Sequence, residues 1–226
     1  MPHTALESSV GMRRCARRIA IVIATLATLI GISITAPATA SAHYAATSST
    51  NVAADANHAL WLLVRWEDTA DLNDYTAYVQ ARLATARSTA TELGLSAPEL
   101  DAEWGAVSVP KQHVLLSAMS QIGVPYHGRM SKPGRGFDCS GLVLFAYAQA
   151  GIGLPRSSRE QIRAAVQIDR AQLEPGDLVY YPGHISLYLG DDLVIHSPQP
   201  GQEVEVREIF SRSLRFGDAV DVAQQP

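Results

Sequence analysis

The chain lacks the features that mark several large classes of protein. No basic run occurs after residue 18, which argues against a nucleic-acid partner. Nothing repeats, which argues against a solenoid, and no second long apolar run follows the N-terminal one. Charged residues make up 18% and apolar residues 47% of the 226 residues, a balance that excludes wholesale disorder and supports a packed core.

The N-terminus has the three parts of a secretion signal. Four arginines between residues 13 and 18 precede a mostly apolar run, Ile19–Ile34, and small-x-small patterns follow at 38–40 and 40–42. Because 16 residues are short for a bilayer span, cleavage is favoured over an uncleaved membrane anchor. We therefore predict a signal peptide at residues 1–42 and export of the rest. Its removal takes away four arginines and Glu7, so the formal net charge changes from −4 to −7.

The small number of cysteines makes Cys139 a candidate reactive residue. The chain has two cysteines, and Cys15 leaves with the predicted signal peptide. Cys139 is then the only thiol in a chain exported to an oxidising place, without a partner in the same molecule. A lone thiol there is an accident, an intermolecular bridge or a reactive group.

Two parts without catalytic motifs are predicted before residue 108. Residues 43–57 are rich in Ala, Ser, Thr and Asn and indicate a flexible tether. Residues 58–107 indicate a helical segment, in which Asp71 is a candidate N-cap, Gly94 a candidate stop, and Ser96 with Glu99 a candidate capping box. The apolar face of the helix between Asp71 and Gly94 is predicted at Leu72, Tyr75, Val79 and Leu83.

Residues 108–226 predict an α+β domain, with helices first and antiparallel strands afterwards. Helices are expected at 111–122, 140–150 and 158–167, the last beginning with a capping box of Ser158 and Gln161. Strands are expected at 177–181, 184–189, 193–197, 203–206 and 219–222. The absence of βαβ alternation argues against a Rossmann-type fold.

Cys139 stands where a Gly-rich loop runs into an apolar helix. The N–H groups and partial positive charge of a helix N-terminus favour thiolate over thiol, so we expect a lowered pKa for Cys139. The same N–H groups are suited to receive the oxyanion of a tetrahedral intermediate. A buried structural cysteine is the alternative for this position taken alone.

Two of the seven histidines lie in consecutive predicted strands joined by Gly190-Asp191-Asp192. If that loop has three residues, Leu187 faces Ile195 on the core side, and His184 and His196 share the other face as diagonal neighbours about 7 Å apart. His184 would then accept the thiol proton and His196 would orient it. A two-residue loop would put the histidines on opposite faces.

Zinc is a competing interpretation of the same residues, with Cys139, His184 and His196 as three ligands. No Cys-x-x-Cys or His-Glu-x-x-His pattern supports it, so we expect no metal and no cofactor.

Four stretches resemble the NlpC-type family of papain-like cell-wall cysteine peptidases over about residues 110–222. They are Gly123-Val124-Pro125-Tyr126, then Phe137 to Val143 around the cysteine, then Leu154 to Ser158 with Gln161 beyond, and finally Leu173 to Val179 with His184 to Gly190 and Ile195-His196. One departure is notable: where the family usually has an aromatic and two glycines after the tyrosine, this chain reads His127-Gly128-Arg129-Met130-Ser131.

The resemblance implies a papain-like α+β fold for residues 108–226 and a catalytic triad of Cys139, His184 and His196. It implies hydrolysis of the γ-D-glutamyl bond to a diamino acid in peptidoglycan stem peptides, outside the cytoplasm at the cell wall. Asp138 and Ser140 match substrate-binding positions, and Tyr126 matches a tyrosine beside the nucleophile, with a packed aromatic as its alternative. Arg156 is expected to support its loop.

Three functions remain open at this point. The first is a cysteine endopeptidase acting on peptidoglycan as a monomer, with neither a nucleic-acid partner nor, once the signal is cleaved, a membrane. The second is a cell-wall amidase or acyltransferase with the same Cys-His machinery. The third is a non-catalytic cell-wall-binding module on the same scaffold.

Overall fold

A computed structural model describes residues 41–209 and 213–220, with side chains from residue 51 onward. The predicted signal peptide lies outside this part of the chain, apart from residues 41 and 42. Six α-helices are described: α1 (Ser41–Thr69), α2 (Leu72–Leu93), α3 (Ala97–Ala106), α4 (Val109–Met119), α5 (Cys139–Gln149) and α6 (Ser158–Ala164). In the described residues, no helix combines the length and the apolar character that crossing a membrane requires.

The strands form a small hairpin and one antiparallel sheet. The hairpin pairs β1 (Ser131–Lys132) with β2 (Gly136–Phe137). The sheet contains β3 (Val166–Ile168), β4 (Leu178–Tyr181), β5 (His184–Gly190), β6 (Leu193–His196), β7 (Glu205–Glu208) and β8 (Arg215–Asp218). Its strand order is β3-β8-β4-β5-β6-β7, and every pairing is antiparallel. The predicted α+β class is confirmed, whereas β3 was not predicted and β8 ends where the last strand was predicted to begin.

The predicted flexible tether is wrong, because residues 43–57 belong to α1. Val52, Ala56, Ala59 and Leu63 recur at helical spacing and are fully buried. The buried face of α1 was not predicted because it is rich in alanine, and an alanine-rich stretch has a composition similar to that of a linker. The same hydrophobic cluster continues through Tyr78 and Trp104 into the sheet, so one core joins the helical segment to the predicted peptidase domain.

The ends of α2 are confirmed, and its predicted apolar face is wrong. Asp71 Oδ1 accepts a hydrogen bond from the Asn73 N–H at 2.6 Å, and Gly94 ends the helix with φ 70°. Leu72 is 78% exposed, however, whereas Tyr78 is 1% exposed. The buried face is made largely of small and polar residues: Asp74, Tyr78, Ala81, Arg82, Thr85, Ala86, Thr89 and Ala90.

Two other predicted caps differ in detail. Ser96 precedes α3, but its side chain makes no capping hydrogen bond. The cap of α6 is Ser157, one residue before the predicted Ser158, and its hydroxyl accepts from the Glu160 N–H. The helix α3 is held to the sheet by its indole, because Trp104 Nε1 donates to the Leu189 carbonyl at 2.7 Å.

A buried lysine ties α4 to the sheet. Lys111 Nζ lies 2.8 Å from Asp177 and 2.6 Å from Asp218, and it reaches Glu174 at 2.9 Å near the surface. Burial raises the pKa of Asp177 to about 6 in spite of the lysine. The ammonium therefore balances carboxylates that have left water, at the point where α4, β4 and β8 meet.

The β5–β6 hairpin decides whether the two histidines meet. Leu187 pairs with Ile195, as predicted. The turn nevertheless has two residues, Asp191 and Asp192, both with positive φ, and an irregularity between Tyr188 and Gly190 absorbs the extra residue. This irregularity is a β-bulge, and it restores the register that a two-residue turn alone would have shifted by one residue. His184 and His196 therefore lie on the same face of the sheet, as predicted.

Candidate active site

Cys139 is the first residue of α5 and lies half-buried in a cleft. Asp138 caps the helix, since its Oδ1 accepts from the Gly141 N–H at 2.7 Å. The helix packs on β5, so the cap also places the thiol beside the start of that strand. The predicted join between a loop and a helix is confirmed at this residue.

The Asp138 carboxylate organises the mouth of the cleft. Oδ2 accepts from the Arg129 N–H and from Arg156, each at 2.7 Å, and Arg156 also reaches Oδ1 at 3.0 Å. Arg156 donates to the Ser140 hydroxyl at 2.8 Å. Asp138 and Ser140 were predicted to bind substrate; both line the cleft, and their polar atoms are linked through the same guanidinium.

His184 and His196 come together as the hairpin register requires. His184 Nε2 lies 2.8 Å from His196 Nδ1, and the two rings are nearly perpendicular. His184 is 8% exposed and His196 only 1%. The bond occupies Nε2 of His184, so Nδ1 is the nitrogen left to exchange a proton with a thiol.

The tautomers of the pair follow from this contact. If His184 Nδ1 accepts a proton, its Nε2–H donates to His196 Nδ1, and the proton of His196 sits on Nε2. That nitrogen lies 3.4 Å from Oε1 of Glu205, the residue paired with His196 across β6 and β7. Glu205 is thus a third group in line behind His184.

Both histidines are neutral at physiological pH. Burial lowers the pKa of His184 to about 4, with a smaller contribution from the positive charge of Arg207. Burial lowers the pKa of His196 to about 3, helped by His184 and Arg207. A neutral His184 is in the protonation state that a general base requires.

The expected lowering of the Cys139 pKa is wrong. Burial raises the pKa of this thiol, and the negative charge of Asp138 adds to the effect. The backbone N–H groups of Ile185, Ser140 and Cys139 itself act in the opposite direction without overcoming burial. The resting site therefore holds a thiol and a neutral imidazole. The backbone N–H groups stabilise negative charge only when such charge develops in the site.

Tyr126 lines the cleft with Cys139. Tyr126 forms an isolated β-bridge with Phe137, and this pairing holds Tyr126 next to the start of α5. Burial raises the pKa of its phenol, with further contributions from the negative charges of Asp138 and Cys139. The hydroxyl remains a neutral hydrogen-bond donor in the cleft that also contains Cys139.

The atypical loop after Tyr126 is fastened to the first turn of α5. The Asp138 N–H donates to the Met130 carbonyl, and the Ser131 hydroxyl donates to the Gly141 carbonyl at 2.7 Å. A side chain at Gly141 would collide with the Met130 carbonyl, so glycine is required for this approach. Arg129 lines the cleft, and the loop borders it as predicted.

The zinc interpretation finds no support in this geometry. Across residues 51–209 and 213–220, no three His, Cys, Asp or Glu side chains are placed to hold a metal ion.

Sequence reasoning missed three groups near the histidines. Glu205 and Arg207 lie on β7, and Tyr181 precedes the β4–β5 turn with its ring 5.0 Å from that of His184. The sequence predicted a strand at 203–206, close to β7. It did not predict that β7 pairs with β6, and this pairing is what brings side chains of β7 to His196.

The fold and the site define the class as a papain-like α+β domain with a cysteine at a helix start and paired histidines on the sheet. Residues 123–215 match the model of the NlpC/P60 family, so this segment is an NlpC/P60 domain and the predicted family is confirmed for it.

Two curated relatives match about half of this chain or less. A probable endopeptidase of Mycobacterium tuberculosis is 43% identical over 96 residues, which are 41% of this chain and 25% of that protein. Murein DD-endopeptidase MepH of Escherichia coli is 36% identical over 119 residues, 48% of this chain and 44% of that protein. The chain therefore spans less than half the length of these relatives.

A solved structure is similar to about half of this chain. RipD of Mycobacterium tuberculosis, described as a non-catalytic NlpC/p60 domain protein adapted to peptidoglycan binding, is 29% identical. The match covers 49% of this chain and 98% of that chain, with a TM-score of 0.43.

Proposed function

We propose that this chain is a secreted cysteine endopeptidase that hydrolyses peptidoglycan stem peptides, at the γ-D-glutamyl bond to a diamino acid. The observation that carries the proposal is the 2.8 Å contact between His184 Nε2 and His196 Nδ1, together with a thiol at the start of α5 that accepts a hydrogen bond from the backbone N–H of Ile185, the residue after His184. Similarity to MepH, a murein endopeptidase, supports the substrate class.

Acylation starts from the neutral pair. Cys139 Sγ attacks the amide carbonyl carbon while its proton passes to His184 Nδ1. Backbone N–H groups at the start of α5 stabilise the oxyanion. His184 then gives the proton to the leaving amine, the C–N bond breaks, and a thioester to Cys139 remains.

Deacylation uses the same base. His184 takes a proton from water as the water oxygen attacks the thioester carbonyl. The C–S bond breaks, a carboxylic acid is released, and the thiol of Cys139 recovers its proton from His184. His196 orients His184 through both steps, with its own tautomer favoured by Glu205.

The experiment compares wild type with Cys139→Ala on purified sacculi under reducing conditions, with released muropeptides identified by mass spectrometry. We expect stem-peptide fragments from wild type only. Equal release by the variant would refute the proposal. Binding to sacculi without cleavage by wild type would favour the binding module, and masses from cleavage at an alanine-to-sugar amide or from acyl transfer would favour an amidase or acyltransferase.

A further inference from the structure

One residue of the β5–β6 hairpin stands outside the regular strand pairing. Tyr188 and Gly190 have partner residues on β6, whereas Leu189 between them has none. The pairing of β5 with β4 ends at Leu187 and gives Leu189 no partner on that side either. Leu189 is therefore the extra residue of the β-bulge.

The contact between the two histidines depends on this extra residue. With the bulge, Leu187 pairs with Ile195, and His196 lies on the same face as His184. In a regular ladder closed by the same two-residue turn, Leu187 would pair with His196, which would turn His196 to the core side of the sheet. The 2.8 Å contact between His184 Nε2 and His196 Nδ1 therefore requires the bulged register.

A side chain from the helical segment binds the bulge. Trp104 of α3 donates its indole N–H to the carbonyl of Leu189 at 2.7 Å. The bond is buried, and both side chains are 0% exposed, so water does not reach this carbonyl to replace the indole. Loss of the N–H would leave a carbonyl unpaired in the interior, and this penalty would fall on the bulged register.

The next residue of the bulge also contacts α3. Gly190 has φ 102°, a backbone conformation that side chains other than glycine rarely adopt. A Cβ at Gly190 would in addition collide with Oε2 of Glu103, the residue before Trp104. The helix α3 thus contacts two consecutive residues of the bulge, Leu189 and Gly190.

We propose that Trp104 is a positioning residue for the histidine pair, because its hydrogen bond to Leu189 stabilises the register in which His184 and His196 meet. The consequence for catalysis rests on the proposed function. Trp104 lies outside residues 123–215, the segment that matches the NlpC/P60 family. The helical segment before that domain therefore helps to set the geometry of the active site.

The kinetic test replaces Trp104 by Phe in the full chain, which keeps an aromatic ring and removes the N–H. On a γ-D-glutamyl–diamino acid peptide we expect kcat to fall by about tenfold or more, since a displacement of about 1 Å in a catalytic group costs up to about 100-fold. KM should stay within about twofold, because the cleft residues Asp138 and Arg156 are not part of this hairpin.

Nuclear magnetic resonance of isotope-labelled histidine gives a readout that does not depend on turnover. In the wild type we expect a single tautomer of His184, with its proton on Nε2 and donated to His196 Nδ1. In Trp104→Phe that hydrogen bond weakens, and we expect His184 to populate both tautomers.

Two controls separate positioning from a general loss of stability. Leu63→Ala removes a fully buried side chain of α1 and should lower the Tm, while kcat and the tautomer of His184 stay unchanged at a temperature where the variant is folded. Trp61→Phe alters a tryptophan that is 55% exposed on the same helix and should change none of these quantities.

A second variant disturbs the bulge without touching the indole. Gly190→Ala places a side chain at φ 102° and should reproduce both the loss of kcat and the mixture of His184 tautomers. If Trp104→Phe does not fold, this variant decides, and wild-type kcat in Gly190→Ala overturns the inference.

The remaining outcomes are equally distinct. A kcat of Trp104→Phe within about twofold of wild type, or a single His184 tautomer retained in it, overturns the inference. An equal loss of kcat in Leu63→Ala also overturns it, because general destabilisation would then explain both variants. If wild type cleaves neither the peptide nor sacculi, the proposed function fails, whereas the tautomers of His184 still decide whether Trp104 positions the pair.

Discussion

Replacing His196 by Ala tests whether the hydrogen bond between the histidines contributes to catalysis. The substitution removes the 2.8 Å contact that holds His184 by its Nε2. At pH 7 both rings are neutral, since their pKa values are about 4 and 3. The bond therefore strengthens only when His184 becomes an imidazolium in the transition state.

The expected loss follows from that difference. A hydrogen bond to a charged group contributes about 1.5–3 kcal/mol, and about 1.4 kcal/mol changes a rate tenfold. We expect kcat/KM of His196→Ala to fall by about 10–150-fold. The loss stays below the factor of about 10⁴ seen when a carboxylate orienter is altered, because a neutral imidazole stabilises the imidazolium less.

The assay is the rate of amine release from a γ-D-glutamyl–diamino acid peptide, followed by mass spectrometry. His58→Ala, which removes an exposed histidine on α1, is the matched control and should keep the full rate. His196→Asn should recover part of the loss, because its amide oxygen can accept the same hydrogen bond. A loss below about threefold in His196→Ala would refute the orienting function, and a loss equal to that of Cys139→Ala would show that His196 takes part in the chemistry directly.

Two further predictions concern the thiol and the buried lysine. The rate of Cys139 alkylation by iodoacetamide should rise with pH and reach half its maximum at a higher pH than for an unfolded control, because burial raises the pKa of the thiol and only the thiolate reacts. A rate that is already at its plateau in mildly acidic buffer would instead show a preformed thiolate–imidazolium pair. Lys111→Met should lower the stability by about 3–5 kcal/mol, because Asp177 and Asp218 lose the ammonium they share in the interior. Thermal unfolding should then move down by on the order of 10 °C, whereas Lys132→Met, at an exposed position, should leave it unchanged.

The sequence by itself determined the local chemistry of the site. An apolar helix after a Gly-rich loop placed Cys139 at a helix start, and Asp71 and Gly94 marked the ends of α2 correctly. Alternation along β5 and β6 put His184 and His196 on one face. These features were readable because helix caps and strand faces depend on residues close in sequence.

Local sequence patterns gave wrong predictions where the burial of a residue depends on segments far away in the sequence. The stretch around Val52 and Ala56 reads as a linker until α2 and α4 provide the surface it packs against. The buried face of α2 carries Thr and Arg side chains whose polar groups are satisfied. Thr85 and Thr89 donate to carbonyls one turn earlier in α2, and Arg82 donates to Asp101 on α3. No periodicity in the sequence identifies a polar face that is buried in this way.

Only the tertiary structure decided what surrounds the reactive groups. The bulge between Tyr188 and Gly190 restored the register that a two-residue turn would have shifted. The pairing of β6 with β7 brought Glu205 and Arg207 to the histidines, and the depth of the cleft reversed the expected pKa shift of Cys139. Local sequence specifies which groups are present and how each is held, but desolvation and neighbouring charge arise from segments far apart in the chain and are set only when the fold closes around them.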